Sequence, residues 1–69
     1  MAANITTGST VKVFFGSAIA GGFDHYVATV TGFQPGTIGL YEVVWAETVP
    51  GYMARGTVDL IESDRVSGF

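Results

Sequence analysis

The sequence predicts an all-β fold: a small five-stranded antiparallel barrel with at most a one-turn 3-10 element. Three observations carry this. Leu40-Tyr41-Glu42-Val43-Val44-Trp45-Ala46 is a run of β-branched and aromatic residues with Tyr41, Val43 and Trp45 at period two, the signature of a half-buried strand. Two Pro-Gly pairs, Pro35-Gly36 and Pro50-Gly51, bracket it as turns. No segment sustains apolar residues at a 3.6-residue period, so no α-helix is expected.

Each element follows in chain order. Residues 1–9 are small and polar and read as a loose N-terminal arm to a single domain spanning residues 1–69. Residues 10–15 give a first strand with Val11, Val13 and Phe15 inward and Lys12 and Phe14 outward. Residues 16–24 hold three glycines without a period and read as a long loop, in which Ile19 and Phe23 could fold back onto the barrel. Residues 25–33 form a second strand with Tyr26, Ala28 and Val30 inward. Gln34-Pro35-Gly36-Thr37 and Val49-Pro50-Gly51-Tyr52 both fit a type II turn, with Pro fixing the first central φ and Gly taking the positive second one.

The fourth strand is expected over residues 54–61, with Val58 and Leu60 inward and Arg55, Thr57 and Asp59 outward. Glu62-Ser63-Asp64 suits a single 3-10 turn, and residues 65–69 a short last strand.

Composition sets the limits on function. A chain of 69 residues without cysteine has no disulfide or thiolate metal site, so it must rely on a dense apolar core or on self-association. Its 48% hydrophobic content exceeds what so small a core can enclose, which leaves apolar side chains for a partner or a second copy. Lys12, Arg55 and Arg65 stand against six carboxylates, a net charge of −3. That balance disfavours nucleic-acid binding and admits a basic protein partner. No membrane span or signal peptide is evident, so a cytoplasmic protein is expected.

The order of elements resembles the Src-homology-3-like small barrel shared by Tudor, chromo-barrel and KOW-type modules. The resemblance covers residues 10–66 as topology. Its nearest sequence echo is Ala28-Thr29-Val30-Thr31-Gly32-Phe33 followed by Leu40-Tyr41-Glu42-Val43-Val44-Trp45. The first loop holds only Asp24 as an acid and Trp45 falls on the core face, both unlike a proline-rich-peptide binder. Thr57-Val58-Asp59-Leu60-Ile61 also lacks the Gln and Tyr of the pore motif of the small-barrel, trimethoprim-resistant reductase.

No catalytic constellation emerges. His25 is the only histidine and reads as a strand-end imidazole, since Asp24 would point to the opposite face if both lay in the strand. Gly16, Gly21 and Gly22 precede no helix and make no phosphate cradle. Asp59, Glu62 and Asp64 form the densest acidic group but lack the calcium-loop pattern, and Arg65 and Arg55 are placed to pair with such charges.

The expected function is therefore a non-enzymatic interaction module, with no cofactor and no metal. It binds a protein or itself through Phe14, Phe23, Tyr52, Asp59, Glu62 and Asp64. Small size and acidity also suit the proteins with which phages and mobile elements inhibit host machinery, such as anti-CRISPR proteins. The alternatives are a KOW- or Tudor-like nucleic-acid-binding barrel and a subunit of an oligomeric enzyme with its site on a symmetry axis.

Overall fold

A computed structural model describes residues 5–15 and 24–68. Five strands form one antiparallel sheet: β1 (Thr10–Phe14), β2 (His25–Gln34), β3 (Leu40–Trp45), β4 (Val58–Glu62) and β5 (Val66–Gly68). Their order across the sheet is β4-β3-β2-β1-β5, so β2, β3 and β4 make a meander and the chain returns to place β5 beside β1. A 3-10 turn, Ser63–Arg65, makes the corner between β4 and β5. Among the described residues no ladder joins β4 to β5, and the sheet has two edges.

The period-two pattern places the core as expected on β1 to β3. Val11, Val13, Tyr26, Ala28, Val30, Val43 and Trp45 all lie on the inner face and are at most 3% exposed. A bare single layer would leave this face in water. Ile5 before β1, Phe15 after it, and Val49 and Met53 from the connection between β3 and β4 pack over it. Tyr41, expected in the core, is only partly buried against its margin.

Four expectations need correction. The inner and outer faces of β4 are exchanged: Ile61 is buried, whereas Val58 and Leu60 are 55% and 46% exposed. The register explains this, because Asp59 pairs with inward Val43 and Ile61 with inward-facing Tyr41, while Val58 and Leu60 oppose outward Val44 and Glu42. The strand also begins later than expected. Ala54-Arg55-Gly56-Thr57 is a turn, closed by Thr57 N–H donating to Ala54 O at 3.1 Å, with Gly56 at φ +87°.

The two Pro-Gly segments differ. Gly51 has φ +71° and Tyr52 N–H donates to Val49 O at 3.0 Å, as a type II turn requires. Gly36 has no positive φ, so residues 34–37 turn by a bend of another kind.

At the start of the chain, Thr6 to Ser9 form a turn with Gly8 at φ +93°. Gly8 N–H donates to Val30 O, and Val30 N–H to Ser9 O. This part of the expected arm is thus fastened to β2. The long loop with Phe23 lies outside the described residues, except for Asp24.

A bulge in β2 supplies a further detail. The register slips between Val30 and Gly32, so Thr31 and Gly32 together oppose Glu42. Strict alternation from Val30 would send Phe33 outward. The extra residue instead turns it to the side of Tyr41, with ring centroids 4.9 Å apart. Thr31 Oγ1 donates to Glu42 Oε1 at 2.9 Å and pins the slip.

Candidate functional site

The surface around β4 gathers most of the residues that composition singled out. Trp45 N–H donates to Thr57 O and Ser63 N–H to Gly39 O, which fixes the hydrogen-bonding phase of β4 against β3. In an antiparallel pair that phase turns the odd-numbered backbone groups toward β3 and those of Val58, Leu60 and Glu62 toward the open edge. One outward donor is already occupied: Leu60 N–H donates to Asp59 Oδ1 at 2.8 Å. The second oxygen of the same carboxylate accepts from Tyr52 Oη–H at 2.6 Å.

Tyr52 reaches this position because the Val49-Pro50-Gly51-Tyr52 turn doubles the chain back. Val49 N–H donates to Met53 O at 2.7 Å, and Val49 is buried as the anchor of the turn. The Tyr52 ring is 49% exposed and meets Trp45 edge-on at 6.2 Å between centroids. Hydrogen bonding to the Asp59 carboxylate, with burial adding to it, raises the Tyr52 pKa above its ordinary value of 10.0.

Behind Tyr52 the aromatic contacts continue inward. Phe15 stacks on Trp45 at 5.9 Å and meets Tyr26 and Tyr52 edge-on at 6.0 and 5.6 Å. The Arg65 guanidinium lies 5.1 Å from the Phe15 ring centroid, and its Nε–H donates to Phe14 O at 2.9 Å. The sequence places Arg65 to pair with charges of the group Asp59, Glu62 and Asp64. The 3-10 turn carries it across to β1 instead. Trp45 Nε1 is buried and has no hydrogen-bond partner among the described residues.

Of the six candidate interface residues, Tyr52 and Asp59 are thus brought into direct contact. Glu62 and Asp64 are exposed, one at the end of β4 and the other in the 3-10 turn that follows. Phe14 is exposed at the end of β1, its ring 5.4 Å from the His25 ring. Phe23 lies outside the described residues.

Asp24 sits in a bend before β2, so the opposite-face condition does not apply to it, and His25 meets it. His25 Nδ1 lies 3.0 Å from Asp24 Oδ1, in an exposed pair. Among the described residues no group of three or more His, Asp or Glu could hold a metal ion, and no helix is long and apolar enough to cross a membrane.

Sequence reasoning missed Val58 and Leu60 as surface residues. Leu60 and Ile61 are adjacent and both apolar, so the pattern permits either face. The signal that could have decided it was Gly56, whose turn starts the strand at Val58 and leaves Ile61 to pair with Tyr41. No family model, curated protein or solved structure matches the chain.

Proposed function

We propose that the protein is a non-enzymatic interaction module that docks a protein partner, or a second copy of itself, along β4 and the Tyr52–Asp59 pair beside it. The observation that carries this reading is the exposure of Val58, Leu60 and Tyr52 around one edge strand. Edge strands are ordinarily blunted by charge, bulges or covering loops, and exposed apolar groups on one mark a place where another chain pairs. Tyr52 adds an aromatic group with a polar tip, the kind of side chain that anchors interfaces.

The finer architecture belongs to the same proposal. The strand order β4-β3-β2-β1-β5 with a 3-10 turn before β5 supports a Src-homology-3-like small barrel, in which the sheet curls on itself and leaves its edges for binding. Acidity and size support a cytoplasmic inhibitor of host machinery carried by a phage or mobile element, such as an anti-CRISPR protein.

The test is capture from an extract of the source cells on immobilised protein, comparing wild type with the double variant Val58→Lys/Leu60→Lys, alongside sedimentation of each. Both side chains point to solvent, so the variant should keep its melting temperature. Loss of a captured protein, or of self-association, supports the reading. Unchanged capture and sedimentation overturn it.

A further inference from the structure

We propose that β4 takes up an extended basic segment of a partner protein as an added strand, and that the Asp59 carboxylate is a removable stand-in for that strand. The inference rests on the interaction-module reading and specifies the chemistry of the partner. A strand paired to the open edge of β4 would offer its main-chain carbonyl to Leu60 N–H. Asp59 Oδ1 now accepts that hydrogen bond in its place, at 2.8 Å. The donor is therefore satisfied in the free protein, and the incoming chain exchanges one acceptor for another.

Exchange leaves a carboxylate to be accommodated. Tyr52 keeps one oxygen of Asp59, and the oxygen released from Leu60 needs a new donor close to the added strand. A Lys or Arg of the incoming chain supplies it. Exposed Glu62 ends β4 and exposed Asp64 lies in the 3-10 turn just beyond, so the neighbouring carboxylates carry the same sign of charge. On the outer face Val58 and Leu60 offer apolar contact to every second residue of the added strand. The complementary ligand thus alternates basic and apolar residues.

A second copy of β4 fits less well. Antiparallel pairing about Leu60 would set Val58 opposite Glu62 and Asp59 opposite Ile61, so neither copy offers a cation to the Asp59 oxygen released from Leu60.

The test uses the full chain and a fluorescent eight-residue peptide of alternating valine and lysine, followed by anisotropy at low salt. Saturable binding is expected. N-methylation of alternate peptide nitrogens, which removes the donors of one strand edge, should weaken it by about tenfold or more. The same peptide with glutamate for lysine should not bind. Leu60→Pro, which deletes a donor facing away from β3, should reproduce the N-methyl effect. If Leu60→Pro does not fold, the N-methyl comparison on wild type decides alone.

Equal binding of the N-methylated peptide, or no saturable binding of the valine–lysine peptide, overturns strand addition. In that event capture that still depends on Val58 and Leu60 leaves the interaction-module reading standing, whereas capture indifferent to them removes both.

Discussion

Trp45 is the largest fully buried side chain, 1% exposed at the end of β3, and its ring carries both Phe15 and Tyr52. Truncation would remove the floor of the aromatic cluster. Trp45→Ala should therefore destabilise the domain by about 3 to 5 kcal/mol in chemical denaturation. A wild-type melting temperature in that variant would contradict the assignment of the inner face.

Tyr52 gives a prediction in pH. Its folded pKa is raised, so the folded protein holds the phenol proton more tightly than the unfolded chain does. The stabilisation is complete below the unfolded value of 10.0 and is lost as pH rises through the folded value. Thermal melts should decline across that alkaline window in wild type, and Tyr52→Phe should decline less steeply there.

At the scale of elements, the connection between β3 and β4 depends on two glycines in the left-handed region, Gly51 and Gly56. A Cβ at either position meets open space, so the effect of substitution is backbone strain alone. Gly51→Ala and Gly56→Ala should each cost about 1 to 2 kcal/mol, measured by denaturant midpoint. Gly51→Ala should also loosen Tyr52 from Asp59, since that turn delivers the ring.

The edge of β4 gives a second prediction at this scale. Asp59→Ala removes both the charge and the acceptor that cover Leu60 N–H. It should produce concentration-dependent self-association in sedimentation, whereas Asp59→Asn, which keeps an acceptor, should produce less.

These elements also mark where the sequence was readable. β1, β2 as far as Val30, and β3 alternate at period two, and Val11, Val13, Tyr26, Ala28, Val30, Val43 and Trp45 were legible as one face. The Leu60-Ile61 pair was ambiguous by its own chemistry and needed the register with β3. Pro35-Gly36 and Pro50-Gly51 look alike locally. Only the second is closed by the bridge between Val49 and Met53, a constraint that arises from the folded chain.

For the whole molecule, the net charge of −3 and the open sheet act together. Attraction of a basic segment should be long-ranged at low salt and screened as the Debye length falls from about 30 Å at 0.01 M to about 3 Å at 1 M. Affinity for the valine–lysine peptide should therefore drop steeply with ionic strength, leaving a residual part carried by backbone pairing and apolar contact. The apolar surplus was legible in the composition, but its position was not. Composition counts residues, whereas the pairing of β4 with β3 decides which of them meet water. The joining of Tyr52 to Asp59 was hidden for the same reason, because seven positions and the turn at residues 54–57 separate them in the chain.

The lone indole has one more use. Its ring nitrogen is buried, with no hydrogen-bond partner among the described residues, so the native chain should fluoresce at shorter wavelength than a solvated tryptophan. Tyr52 touches that ring and holds Asp59, so an event at the β4 edge has a mechanical route to the chromophore. The protein thereby carries its own optical reporter, and unlabelled ligands can be screened by the colour and intensity of a single emitter.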